Sequence, residues 1–153
     1  MATINYLTTI EFDFGALTRA AEIAKSAGIM HPLLVTDPGL AKGPVMARVR
    51  EVLAPLAPAV FDATPQNPDE EAVEKAVAIF RQHGCDGVVA LGGGSSIDLA
   101  KAVALLATHD GPLERYAVIL GGLAKITPAI APVIAIPTTA GTGSEVGRAA
   151  LIT

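Results

Sequence analysis

The stretch DGVVALGGGSSIDLAKAVALLATH (86–109) joins a strand-like and a helix-like segment through a run of three glycines. The apolar run 86–92 predicts a buried strand, and residues 95–109 predict a mostly apolar helix. Consecutive glycines lose much backbone freedom on folding, so they indicate a place where something approaches the chain closely. A glycine-rich turn from strand to helix predicts an anion site, because free amides and the helix dipole meet there.

The rest of the chain alternates in the same way between short apolar runs and amphipathic segments. Further strands are predicted at 32–37, 59–62 and 132–138, and further helices at 15–28, 44–54 and 68–84. Gly28 and Gly84 are predicted to cap two of these helices. The alternation predicts an α/β fold, a Rossmann-like parallel sheet with helices on both faces.

Ligands of such a sheet bind at the carboxyl ends of its strands. In this chain those ends carry Asp37, Gly92–Gly94 and Thr138–Gly143. The loop IPTTAGTGSEVGR (136–148) offers several hydroxyl donors that suit a nucleotide, although an ordinary Ser/Thr/Gly loop has the same composition. We therefore expect these three segments to form one site.

The composition excludes several classes of protein. Of the 153 residues 51% are hydrophobic and 17% charged, which fits one folded domain, and a net charge of −4 offers no basic surface for nucleic acid. Cys85 is the one cysteine, so no internal disulfide forms, which suits the cytoplasm. The N-terminus lacks the features of a signal peptide, and prolines interrupt the uncharged stretch 126–144, so no membrane span is expected.

The start of the helix after the glycines has two interpretations. Ser95 suits the N-cap, and Asp98, three positions later, could close a capping box with it. Alternatively, Asp98 pairs with Lys101 one turn further on. The dinucleotide fingerprint G-x-G-x-x-G fails, because Ile97 occupies the position of its third glycine. The turn alone therefore leaves phosphate binding open.

Five stretches together resemble the N-terminal half of the iron-containing, metal-dependent (group III) alcohol dehydrogenases. They are FGAL (14–17), LLVTDPGL (33–40), FDATPQNP (61–68), ALGGGSSIDLAKA (90–102) and IPTTAGTGSEV (136–146), in the order of the family. The resemblance implies a dinucleotide-binding domain over residues 1–153 and NAD as cofactor. It also implies an enzyme that transfers hydride between an alcohol and the corresponding aldehyde or ketone.

The resemblance also implies the cofactor-binding residues. Asp37 corresponds to the residue that holds the adenosine ribose and favours NAD over NADP, and Asp98 to the acid that faces the nicotinamide carboxamide. The remaining positions border the adenosine, form the pyrophosphate turn or pack over the cofactor: Asn67, Gly92, Gly93, Gly94, Ser95, Thr138, Thr139 and Thr142. The chain departs from the family at Gly147, where a threonine is usual.

In the family, a following all-helical domain supplies an aspartate and three histidines that bind iron or zinc. This chain ends at ALIT (150–153), and its own histidines, His31, His83 and His109, show no ligand spacing. We therefore expect the all-helical domain, metal ligands and catalytic residues to be absent from it, and the chain alone to be catalytically incomplete.

Three alternatives remain open at this point. The chain could belong to a glycerol dehydrogenase-like relative or to a maleylacetate reductase-like one, against which Asp98 speaks. It could instead be a non-catalytic nucleotide-binding module. The high apolar fraction predicts self-association into a homo-oligomer.

Overall fold

A parallel sheet of four strands forms the centre of the structure, a computed structural model that describes residues 2–5 and 8–153. The strands are β1 (Ala2–Asn5), β2 (Thr9–Phe12), β3 (Pro32–Val35), β4 (Ala59–Phe61), β5 (Gly87–Gly92) and β6 (Val133–Pro137). The α-helices are α1 (Ala20–Ser26), α2 (Pro44–Leu53), α3 (Glu70–Gln82) and α4 (Gly94–Leu106). Short 3-10 helices lie before α1, after α2 and between α4 and β6.

The strand order of the central sheet is β4-β3-β5-β6, and every neighbouring pair is parallel. From β3 the chain moves outward to β4 and then returns to β5 on the other side of β3. The direction of winding therefore reverses between β3 and β5, which opens a crevice at their carboxyl ends. The predicted strands and the parallel sheet are confirmed.

The two inner strands of the sheet, β3 and β5, bury side chains on both faces. Leu33 and Val35 belong to an apolar cluster with α3 and α4, whereas Leu34 belongs to a second cluster with α1 and α2. β5 alternates likewise, with Val89 and Leu91 on the side of α1 and α2. Each such buried side chain contributes about 1.5–3 kcal/mol relative to an exposed one. The prediction of helices on both faces is confirmed.

Glycines end two of the helices as predicted. Gly28 and Gly84 have φ of +84° and +62°, a conformation that favours glycine. The amide after each glycine donates to the carbonyl five residues earlier, at 2.8 and 2.9 Å. This is the Schellman pattern of helix termination. At the other end of α3, Asp69 caps the helix by accepting from the amide of Ala72 at 2.8 Å.

The start of α4 differs from the prediction. The N-cap is Gly93, in extended conformation, and Ser95 lies inside the first turn. Its hydroxyl donates to the carbonyl of Gln66, a residue of the loop before α3, so Ser95 is not the cap. The predicted capping box is also wrong, because Asp98 accepts from Lys101 Nζ at 3.2 Å instead. That contact confirms the alternative pairing.

The N-terminal hairpin was not anticipated from the sequence pattern. β1 and β2 pair in antiparallel register, and Glu11 of β2 accepts from Arg19 at 3.1 Å, which ties the hairpin to the segment before α1. The uncharged stretch 126–144 contains β6. Among the helices of the described part of the chain, none combines the length and the apolar character needed to cross a bilayer.

Candidate functional site

A cleft of about 520 Å³ opens at the carboxyl ends of the central strands, where the winding reverses. Residues from four loops line it: Asp37, Pro38, Leu40, Thr64, Pro65, Gln66, Gly93, Ser95, Ser96, Thr138 and Thr139. Its volume is in the range of small-molecule sites. The three sequence segments predicted to meet therefore do meet, and the loop after β4 joins them.

The glycine turn is packed against the threonine-rich loop that follows β6. A Cβ on Gly93 would lie 3.3 Å from Thr139 Oγ1, and one on Gly94 would lie 3.2 Å from Ser144 Oγ and 3.3 Å from the Cβ of Thr142. All three distances are tighter than ordinary contacts. These glycines therefore permit, in part, the close approach of another loop of the same chain. Approach of a phosphate to the same turn stays a prediction.

Gly92 ends β5 and lies beside the ends of β3 and β6. Its φ is +152°, and a Cβ there would lie 2.5 Å from Ser96 Oγ and 3.5 Å from Asp37 Oδ2. Its carbonyl accepts from the amide of Thr138 at 2.9 Å, which fixes the loop after β6 beside the turn. A larger residue at this position would be strained at this φ and would collide with Ser96 of the first turn of α4.

Asp37 stands half-buried at the end of β3. Its Oδ1 accepts from the amides of Gly39 at 2.8 Å and Leu40 at 3.0 Å, which closes the turn after the strand. The second oxygen, Oδ2, takes part in neither bond and lies toward Gly92. Asp37 can therefore hold its turn and still accept hydrogen bonds from a ligand in the cleft.

The first turn of α4 presents backbone amides at the floor of the cleft. Within the described residues, these amides have no side-chain cap, because the N-cap residue is Gly93. The Ser95 hydroxyl already donates to the Gln66 carbonyl, which bridges two walls of the cleft. An anion at this helix start would therefore be bound by backbone amides and the helix dipole, rather than by a hydrogen from Ser95.

Asp98 lies outside the cleft, on a buried face of α4. Its two oxygens accept from Lys101 Nζ at 3.2 Å and from the amide of Leu151 at 3.1 Å. Lys101 also donates to the carbonyl of Ala149 at 2.8 Å. The Asp98–Lys101 pair thus holds residues 149–151 against α4. The role of Asp98 toward a nicotinamide stays a prediction.

The remaining predicted residues divide into two groups. Five of them line the cleft: Asp37, Gly93, Ser95, Thr138 and Thr139. The others do not: Gly92 and Gly94 belong to the same turn, Thr142 packs on that turn, and Asn67 is exposed next to Gln66.

Three polar lining residues were not predicted: Thr64, Gln66 and Ser96. The rule that ligands gather at carboxyl ends applies to β4 as well, so it points to Thr64, which lies just beyond that strand.

The metal implied by the family resemblance finds no donor set here. Within residues 2–5 and 8–153, no group of three His, Cys, Asp or Glu residues could hold a metal ion. His109 is buried, its Nε2 accepts from the amide of Thr127 at 3.0 Å, and its Nδ1 lies 3.1 Å from the Leu105 carbonyl of α4, so both ring nitrogens are used within the fold. The described residues therefore do not fit an iron or zinc site, and we assign no chemical step to a metal.

Three comparisons with known proteins agree with this architecture. Residues 8–153 match the family described as iron-containing alcohol dehydrogenase. The chain is 55% identical over 152 residues to 4-hydroxybutyrate dehydrogenase of Cupriavidus necator, covering 99% of the chain and 40% of that relative. It is 38% identical over 144 residues to NAD-dependent methanol dehydrogenase of Bacillus methanolicus, covering 91% and 36%.

Among solved structures, sulfoacetaldehyde reductase from Bifidobacterium kashiwanohense in complex with NAD+ superimposes with a TM-score of 0.75 at 34% identity. The match covers 86% of the chain and 34% of that structure. The chain therefore spans about two fifths or less of the length of these relatives. Since the family match extends over nearly all of its residues, the chain belongs to the iron-containing alcohol dehydrogenase family.

Proposed function

We propose that the cleft binds NAD and that the chain is the cofactor-binding part, over residues 1–153, of an NAD-dependent, metal-containing alcohol dehydrogenase. The observation that carries this proposal is the placement of Asp37 beside the glycine turn of α4, at the point where the sheet reverses its winding. A carboxylate and a helix start side by side match the ribose and the diphosphate of a dinucleotide. The relative named NAD-dependent and the neighbour solved with NAD+ support the proposal.

Each wall of the cleft has a separate part in binding. Asp37 accepts from the ribose hydroxyls, and its charge repels a 2′-phosphate, so NAD is preferred over NADP. The amides of the first turn of α4 bind the diphosphate. Thr138 and Thr139 supply hydroxyl groups from the opposite loop.

The bound cofactor would supply a hydride acceptor for oxidising an alcohol to an aldehyde or ketone, and a hydride donor for the reverse. The residues of this chain bind and orient it. Within the described part of the chain, no group of three His, Cys, Asp or Glu residues could hold the metal of such an enzyme. The relatives named for 4-hydroxybutyrate and methanol support a primary alcohol as substrate.

The surface and the cysteine content support two further parts of the proposal. Four large apolar side chains, Val118, Ile119, Leu120 and Leu123, are exposed on neighbouring 3-10 turns, which favours a homo-oligomer. Cys85 is a free thiol, which favours the cytoplasm.

Calorimetric titration of the purified chain tests the proposal. NAD is expected to bind, and NADP is expected to bind at least about tenfold more weakly because of the charge of Asp37. Assays with primary alcohols and added ferrous or zinc ions are expected to show no turnover by this chain alone. The absence of any NAD binding at millimolar concentration would refute the cofactor assignment. Metal-dependent turnover would refute the proposal that this chain alone is catalytically incomplete.

A further inference from the structure

The threonine-rich loop that follows β6, residues 138–148, is attached to the rest of the fold at both ends. At its start, the Thr138 amide donates to the Gly92 carbonyl at 2.9 Å. Directly after its last residue, the Ala149 carbonyl accepts from Lys101 Nζ at 2.8 Å. The loop therefore spans the distance from the end of β5 to the middle of α4.

Between these two attachments the loop bonds to itself. The Gly147 amide donates to the Gly143 carbonyl at 2.9 Å, and the Ser144 amide donates to Thr142 Oγ1 at 3.3 Å. In the part of the chain that the structure describes, the hydrogen bonds of residues 139–148 all lie within the loop. The position of the loop on the glycine turn therefore depends on packing and on its two attachments.

The loop packs on the start of α4. Thr142 and Ser144 lie against Gly94, and Thr139 lies against Gly93, at the distances given above. The proposed function assigns the amides of this helix start to the diphosphate. Displacement of the loop would therefore change the surroundings of these amides and move Thr139 in the cleft wall.

Lys101 makes the attachment at the far end of the loop. Its side chain is 16% exposed, and its ammonium donates to Asp98 Oδ1 at 3.2 Å as well as to the Ala149 carbonyl. Hydrogen bonds from a charged donor are stronger than neutral ones. Without the ammonium, the Ala149 carbonyl loses this bond, and the buried Asp98 carboxylate keeps only the Leu151 amide. Both losses loosen the segment that follows the loop.

We propose that Lys101 is a positioning residue for the cleft, because it holds the far end of the threonine-rich loop and so keeps the loop on the start of α4. Lys101 is not among the residues that line the cleft, so it acts through the loop and not by contact with the cofactor. A neutral side chain at position 101 lowers NAD affinity although every lining residue is unaltered. This inference rests on the proposed function.

Two matched lysine variants test the effect on binding. Lys101→Met removes the ammonium and keeps an unbranched side chain. Lys75→Met, on α3, is the control, since it removes the same charge from a lysine that also pairs with a carboxylate, Glu71 at 2.6 Å, but is 64% exposed. Calorimetric titration is expected to show NAD binding about five- to tenfold more weakly to Lys101→Met and changed by less than about twofold in Lys75→Met.

Trypsin tests the position of the loop without any ligand. Arg148 is exposed and directly precedes Ala149, so release of this segment exposes a cleavage site. Lys101→Met is expected to be cleaved after Arg148 at least about fivefold faster, relative to cleavage after the exposed Lys125 in the same molecule. A variant that is merely less stable would be cleaved faster at both sites.

Two further substitutions at position 101 complete the design. Lys101→Arg keeps the charge and the donors, and the open groove beside Lys101 has room for the longer side chain, so it is expected to restore most of the affinity and of the resistance to trypsin. Lys101→Gln is a second neutral variant, with the same expectations as Lys101→Met. Thermal melting shows which variants are folded.

The possible outcomes separate this inference from the proposed function. If the folded neutral variants bind NAD as the unaltered chain does, the inference is overturned and the function stands. Weaker NAD binding without faster cleavage after Arg148 would also overturn it, because Lys101 would not act through the loop. Failure of the unaltered chain to bind NAD would refute the function and the inference together.

Discussion

The amino and carboxyl ends of the central sheet differ in how their polar groups are hydrogen-bonded. At the amino ends, the Asp86 carboxylate accepts from the amides of Met30 at 3.0 Å and His31 at 2.9 Å, which joins the loops before β3 and β5. Apolar packing is equally tight there, since a Cβ on Gly87 would lie 2.5 Å from Ile29 Cγ1. The Asp86 carboxylate is therefore used within the fold.

The carboxyl ends of the same two strands leave more groups available. Asp37 uses one carboxylate oxygen for its own turn, and the N-cap of α4, Gly93, offers no side chain to the amides of the first turn. Both ends carry an aspartate and a glycine at which a Cβ would collide with a neighbouring side chain. The comparison therefore separates groups that bond within the fold from groups that the proposed function assigns to a ligand, and paired variants at the two ends can test it.

The largest expected effect comes from the two glycines of β5. Gly92→Ala puts a Cβ 2.5 Å from Ser96 Oγ at a φ of +152°, so the turn must move, and NAD affinity is expected to fall by more than about a hundredfold. Gly87→Ala meets Ile29 at the same distance but at the other end. It is expected to lower the free energy of unfolding by about 1–3 kcal/mol and leave the NAD dissociation constant unchanged. Calorimetric titration and thermal melting measure both, and normal NAD binding by Gly92→Ala would contradict the role of the turn.

The sequence was sufficient for features whose signals are local. Apolar runs gave the strands, and the glycines at 28 and 84 gave the helix ends, because φ above zero depends on the residue itself. The helix start at Gly93 could not be predicted from a local signal. Both Gly93 and Ser95 can cap a helix, and Ser95 has its hydroxyl bound instead to the Gln66 carbonyl, 29 residues away.

Long-range partners explain the other differences. Asp98 has one partner on its own helix and a second, the Leu151 amide, 53 residues away, so no local pattern shows that it faces the end of the chain. Thr64 is similar, because a threonine after a strand is common and only tertiary packing makes its hydroxyl buried and unpartnered.

The two aspartates should give the next largest effect. Asp37→Asn keeps an oxygen for the Gly39 amide but removes the charge that the proposed function assigns to the ribose hydroxyls. NAD is therefore expected to bind about tenfold more weakly, and discrimination against NADP is expected to shrink. Asp86→Asn is expected to leave NAD affinity unchanged and to cost about 1–3 kcal/mol of stability, since its carboxylate joins two loops. Titration of each variant with both dinucleotides measures the difference. An unaltered preference for NAD in Asp37→Asn would show that this residue does not select the cofactor.

The smallest expected effect concerns Cys85, at the amino end beside Asp86. Burial and then the neighbouring Asp86 charge raise the pKa of this thiol from 9.0 to about 11, so the folded protein holds it protonated at neutral pH. Because the unfolded thiol ionises at the lower pH, stability is expected to decline as the pH rises from about 9 to about 11. Alkylation by iodoacetamide is expected to be slow at about pH 8 and to accelerate over the same interval. Saturating NAD is expected to leave the rate unchanged, since the proposed site lies at the opposite end of the sheet. Mass spectrometry of the alkylated chain measures the rate, with Cys85→Ser as the unreactive control. Protection of Cys85 by NAD would show that the amino end takes part in binding, against the division drawn between the two ends.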